Sequence, residues 1–180
     1  MLPFDAQTWK DRARRRCERM ALTRGKRAAL AELKKDLKHI RDIGKVLKWC
    51  DKKGIKVEFQ GNGDSNKTLY FPDEARIAII GNISVVKQLS YLLHECGHHL
   101  IGNKQADERF GMGYPQAGSA VARMAVHRCD IVDEELEAWH RGMKLKNRLK
   151  LSLKKAEYDA VKVEAIRSYM RWAGNRRKKK

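Results

Sequence analysis

Residues 85–102 read VVKQLSYLLHECGHHLIG, and whether this stretch is a plain buried helix or a helix that holds a metal decides the fold. Asn82 or Ser84 supplies an N-cap and Gly102 a stop, so the segment predicts one helix. Within it His94, Glu95 and His98 stand in the order His-Glu-x-x-His. Positions i and i+4 share a helix face, so His94 and His98 can offer imidazole nitrogens to a single metal ion. Glu95 lies about 100° around from His94, placed to act as a general base without being a ligand. Each residue type has a chemical reason: zinc lowers the pKa of water towards about 7, the carboxylate takes the proton, and the metal polarises a carbonyl. With 6 His and 11 Glu in 180 residues, chance would assemble this pattern in roughly one such chain in a hundred. Gly97 is small enough to admit a neighbouring backbone, Cys96 is expected to pack into the core, and His99 points about 100° away from His98.

Zinc also needs a third protein ligand and an open fourth position. The metzincin continuation requires histidine at position 104, where this chain has Lys104, so that pattern is excluded. Downstream, DEELEAWHRG at 133–142 supplies acids on a predicted helix. Glu135 and Glu137 point roughly 160° apart at 100° per residue, so they cannot both face the metal. Glu135 is the choice, because Ala138 and Trp139 share its face at i+3 and i+4. A small Ala138 lets this helix approach the metal helix, and Trp139 packs there.

Outward from these two helices, residues 8–53 carry Leu30, Leu33, Leu37, Ile40, Ile43, Val46 and Leu47 at spacings that predict an amphipathic helix, broken near Gly25 and stopped at Gly54. The stretch that follows alternates as strands do in IKVEF (55–59), KTLYF (67–71) and RIAII (76–80), separated by GNGDSN and PDE turns. A small antiparallel three-strand meander is expected. After the metal helix come a glycine-containing loop, 103–118, which holds Tyr114 and Pro115, a helical piece in SAVARMAVHRCDIV, and a helix capped by Asp133. A last helix over about 153–173 ends at Gly174, before the basic tail NRRKKK. The class expected is α+β, with a basic helical region at 1–53 packed on or appended to the core, a catalytic core at 54–142, and a basic helix and tail at 143–180.

The net charge of +18 is unevenly spread. Residues 1–53 hold 17 Lys/Arg against 7 Asp/Glu, residues 54–140 hold 8 against 12, and residues 141–180 hold 15 against 3. Basic flanks of this strength attract polyanions by counterion release, nucleic acid first and an anionic membrane surface second. No readout motif for nucleic-acid sequence is present. The apolar fraction of 42% contains no run long enough to cross a membrane and no secretory leader. The four cysteines form no C-x-x-C pair, so neither a disulfide framework nor a cysteine zinc knuckle is indicated, and a cytoplasmic, reducing compartment is expected.

The run of basic helix, three strands, LLHECGHHL and ELEAW resembles small single-domain gluzincins, zinc metallopeptidases whose third ligand is a glutamate in Glu-x-x-Ala. It looks most like compact metallopeptidases of bacteriophages, prophages and bacteria, distant relatives of the ImmA/IrrE group, over about residues 54–142. The resemblance implies a zincin-like fold, Zn²⁺ held by His94, His98 and Glu135, Glu95 as the catalytic base, and a protein or peptide substrate paired with an edge strand, either KTLYF or RIAII. Trp139 stands where relatives commonly have Asn or Asp. SprT-like proteases resemble the chain in a second way and would take a distant histidine, His127 or His140, as third ligand, but they usually add a cysteine zinc ribbon that this sequence lacks. His127, His140 and Tyr114 are further candidates for support of the site or for oxyanion stabilisation. The expected function is a zinc endopeptidase recruited to nucleic acid by its flanks. The alternative is a nucleic-acid-binding protein with a structural or inactive zinc site, against which an intact Glu95 speaks.

Overall fold

The computed structural model describes residues 5–60, 68–102 and 125–174. Among them are five helices and three short strands: α1 (Ala6–Arg24), α2 (Lys26–Lys52), β1 (Lys56–Gln60), β2 (Leu69–Phe71), β3 (Arg76–Ile80), α3 (Val85–Ile101), α4 (Ala125–Arg148) and α5 (Lys155–Gly174). The class is α+β. The GNGDSN turn, the loop with Lys104, Tyr114 and Pro115, and the NRRKKK tail lie outside the described residues.

Asp5 starts α1 by accepting the amides of Gln7 and Thr8 on its carboxylate, at 2.9 and 3.2 Å. Gly25, at φ 85°, adopts a backbone that side chains disfavour, and turns the predicted long helix into two. Trp9 meets the Phe59 ring edge-on at 5.0 Å, which seats the start of α1 against β1. α2 ends as predicted before Gly54, itself at φ 70°.

The sheet departs from the expected meander. Its order is β1-β3-β2, with β1 parallel to β3 and only β2 antiparallel to it. Composition explains the change: Ile77, Ala78 and Ile79 are all buried, and a continuous apolar run belongs in the middle of a sheet covered on both faces. Adjacency in sequence suggested a different neighbour for β1. Among the described residues β2 lies at an edge of the sheet and β3 at its centre, which removes RIAII from the two edge candidates.

The α3 helix follows as expected. Ser84 occupies the N-cap without a side-chain bond, and Gln88 ties the β3–α3 turn by donating to the carbonyls of Ile80 and Gly81 at 3.3 and 2.8 Å. One continuous helix, α4, replaces the expected two pieces. Asp133 lies within it instead of capping a new one, because no glycine or proline interrupts 125–141 and an interior Asp costs a helix only a few tenths of a kcal/mol. A single buried cluster draws Trp9, Ile43 and Val46 from the N-terminal side, Ile77, Leu89, Leu93 and Trp139 from the centre, and Leu153, Tyr158 and Val161 from the C-terminal side. Asp42, fully buried, accepts the Ser152 amide and hydroxyl at 2.5 and 2.6 Å and so fixes the α4–α5 turn to α2. Among the described residues no helix is long and apolar enough to cross a membrane.

Candidate metal centre

Helices α3 and α4 meet backbone to backbone, and small residues make that possible. A Cβ at Gly97 would run into the Ala138 carbonyl group, whose carbon would lie 2.7 Å away. One turn back on α3 and one turn on along α4, a Cβ at Gly142 would stand 2.5 Å from the Leu93 carbonyl oxygen. This close approach brings the histidine face of α3 onto the acidic face of α4. His94 Nε2 lies 3.1 Å from Glu135 Oε2, and His98 Nε2 lies 3.5 Å from Glu135 Oε1. One ligand atom from each of these three residues falls within 4.8 Å of the other two, and the group can hold a metal ion.

The donors fit a catalytic type of site. Two imidazoles and one carboxylate make three protein ligands and leave a fourth position open. Glu135 Oε2 is buried with no well-aligned hydrogen bond among the described residues, although His94 Nε2 lies 3.1 Å away, an under-satisfied oxygen of the kind folded proteins avoid and one that could coordinate a cation. Around the ligands, His98 turns its Nδ1 to Glu134 Oε1 at 3.4 Å, an arrangement in which a carboxylate orients a ligating imidazole. Among the described residues His94 has no such partner, and its Nδ1 is buried and unbonded. Its ring instead stacks on Trp139, with centroids 4.4 Å apart and planes 21° apart. Trp139 is held in turn by the Tyr158 hydroxyl, which donates to its carbonyl at 2.9 Å.

Electrostatics follow the same geometry. Burial disfavours a charged His98, but hydrogen bonds to Glu134 and Glu135 outweigh it and hold the imidazolium up at about 10. Burial would raise Glu135, yet the two histidines keep its carboxyl well below the usual range. Glu95 is also buried. Burial pushes its pKa up, the nearby Glu135 charge adds to that, and His94, His98 and the backbone N–H of Tyr70 work in the other direction. Tyr70 lies on β2, so this edge strand touches Glu95 directly.

His127 is buried, but eight residues before Glu135 it sits about 12 Å back along α4. His140 is exposed. Neither joins the ligand group among the described residues, and Tyr114 lies outside them. His99 is half-buried: its Nδ1 is 3.0 Å from the Tyr70 hydroxyl and its ring lies edge-on to Trp49. Cys96 is in the core as expected, its sulfur 3.5 Å from that of Cys50. One residue at the site had no signal in the sequence: Tyr169, on α5, hydrogen-bonds Glu135. Burial and the Glu135 charge both raise its pKa, so its hydroxyl keeps its proton. No protein-family model matches the chain, and neither curated proteins nor solved structures give a significant match.

Proposed function

We propose that this chain is a zinc-dependent metallopeptidase of the gluzincin type, an intracellular enzyme recruited to nucleic acid by its basic flanks. The observation that carries the reading is the gathering of His94, His98 and Glu135 into one ligand group with the buried Glu95 beside it. His94 and His98 would hold Zn²⁺ through Nε2, and Glu135 through its carboxylate. When bound, the ion supplies Lewis acidity towards a substrate carbonyl and towards water.

The remaining steps belong to the chain. Glu95, with a pKa raised by burial, is suited to take a proton from the attacking water and return it to the departing amine, a shuttle worth about 10²–10⁴ in rate. Tyr169 and Glu134 keep Glu135 and His98 in place by hydrogen bonding. β2 offers an open edge beside Glu95, on which an extended peptide can add as a further strand. The Tyr70 ring, tied to His99, fixes that edge against α3.

Metal analysis of the purified protein should find zinc near one equivalent, and His94→Ala should lose it. A wild-type protein without metal, or a His94→Ala variant that retains all of it, would end the site hypothesis. Given zinc, Glu95→Gln should keep the metal and leave a proteome-derived peptide library uncut, while the wild type cleaves it. Equal silence from both would leave a metal-binding protein without peptidase activity.

A further inference from the structure

The basic excess of the N-terminal flank is ordered along α2. Lys34, Lys38, Arg41, Lys45, Lys48 and Lys52 follow one another at intervals of four, three, four, three and four residues. At 100° per residue all six fall within about 40° of one line, and no other residue between Lys34 and Lys52 does. The line is about 27 Å long at 1.5 Å per residue. Five of the six side chains are exposed and Lys45 is half-buried. Lys45 pairs with Asp42, while the other five form no salt bridge among the described residues. The opposite side of α2 carries Ile40, Ile43, Val46 and Cys50, all in the core, and Glu32 and Asp36, which face Arg16 of α1. The strip therefore faces away from both.

The second basic flank arrives at the same face. Lys45 donates to the Lys150 carbonyl at 3.5 Å, and the Arg148 guanidinium lies 5.9 Å from the centre of the Trp49 ring. Arg148 and Lys150 are exposed, so regions a hundred residues apart in sequence build one cationic surface.

We infer that this α2 strip, with Arg148 and Lys150 at its side, is a docking surface for the phosphate backbone of double-stranded DNA, without regard to base sequence. Duplex DNA carries one negative charge per about 1.7 Å of axis, a uniform linear polyanion that a straight, evenly spaced row of cations complements. A helix that lies on a membrane sinks its apolar face into lipid, and the apolar face of α2 is occupied by the core. Single strands are held by stacking on aromatic rings; the strip has none, and Trp49 at its flank is half-buried, with Arg148 over its ring and His99 edge-on to it. Recognition of RNA duplexes uses polar contacts to the 2′-hydroxyl, and the strip presents only cations.

The surface does not depend on the metal centre, and its test is separate. Binding of the full-length protein to a labelled 30-base-pair duplex would be followed by anisotropy between about 50 and 300 mM salt. A strip variant, Lys34→Gln, Lys38→Gln, Arg41→Gln and Lys48→Gln together, would be compared with a control that loses the same charge from exposed positions of α1: Lys10→Gln, Arg12→Gln, Arg15→Gln and Arg19→Gln. Circular dichroism verifies that both remain folded. At about 0.9 in the log–log salt slope per phosphate contact, the strip variant should lose 3 to 4 from the slope and about a hundredfold or more in affinity at 100 mM salt. The control should keep the wild-type slope. Equal losses in the two variants would mean diffuse attraction by net charge and would overturn the assignment. So would a wild type that does not bind the duplex, or one that prefers double-stranded RNA or anionic vesicles to it.

Discussion

At the candidate metal centre each ionisable side chain faces another: Glu135 lies between His94 and His98, and Glu134 stands behind His98. Along α2, five cations face water and one another. The contrast separates two uses of charge in one small chain. Buried groups are held by their partners, so removing one leaves another stranded at a cost of several kcal/mol. Exposed cations are screened and hydrated, so removing one changes little in the fold and acts on whatever binds outside. Substitutions in the two regions should therefore differ in kind, and the first three predictions concern the buried side.

The largest effect is expected at the helix contact that assembles the ligands. Gly97→Ala forces the Ala138 carbonyl away from α3, and no flexible side chain is there to yield. Overpacking of a close backbone contact costs about 3 kcal/mol or more, to be measured by denaturant unfolding, and zinc retention should fall with it because α3 and α4 must part. A Gly97→Ala protein with wild-type stability would show that the close approach is not what brings the ligands together. Next in size is Trp139→Phe, which leaves an aromatic ring in the core but removes the indole that stacks on His94. Loss of support around a ligand typically weakens metal binding by about 10- to 100-fold. Competition with a chelator would measure it, and an unchanged zinc affinity would mean that packing of the neighbouring helices alone orients His94.

A smaller, pH-dependent effect should come from the buried charges between α2 and α5. Burial holds the His39 pKa below the ordinary value, although Glu157, 3.6 Å from its Nε2, opposes this. The unfolded chain then protonates His39 at a higher pH than the folded one does, so stability is lost as pH falls through about 6.5. Burial would raise Glu157, but its bonds to Lys35 and to the Lys154 amide keep it low. Its contribution is present above about 4.5 and goes as pH falls through the depressed folded value. Both act in the same direction. Thermal unfolding between pH 7.5 and 5.5 should show a smaller loss for His39→Gln than for the wild type. An identical loss would place the acid sensitivity elsewhere.

How far the sequence carried these features depended on the range of the contacts. His94, Glu95 and His98 are within one helical turn or so of each other, and a 100° rotation per residue was enough to relate them. Glu135 was reached because its own helix periodicity separated it from Glu137. The role of Ala138 and Gly97 followed from size alone. Strand order was not legible: β1 pairs with β3 across a β2 that intervenes in sequence, a choice made by burial of three consecutive apolar residues and not by turn chemistry. Asp133 looked like a cap because short polar residues favour helix starts, but nothing before it obliges the helix to stop. Tyr169 was out of reach, since only the docking of α5 places it against Glu135. The α2 strip is written in the 4-3-4-3-4 spacing of its cations, a property of one helix face that the net charge of a segment does not express.

The smallest expected effect reverses the sign of the others. Like charges three and four residues apart on a helix repel by about 0.2–0.5 kcal/mol per pair, and Lys38 has Lys34 on one side and Arg41 on the other. Lys48 stands likewise between Lys45 and Lys52. Glutamine is almost as good a helix former as lysine, so Lys38→Gln and Lys48→Gln together relieve repulsion with little else lost. The double variant relieves four such pairs and should be more stable than the wild type by about 1 kcal/mol at low salt, and the gain should shrink by 0.5 M salt as screening removes the repulsion. Denaturant unfolding at the two salt concentrations measures both quantities. A loss of stability instead would mean that these lysines hold the fold together through their stems, and the strip would then be part of the scaffold. A gain would mean that α2 keeps its row of cations at the expense of its own stability, as surfaces reserved for a partner do.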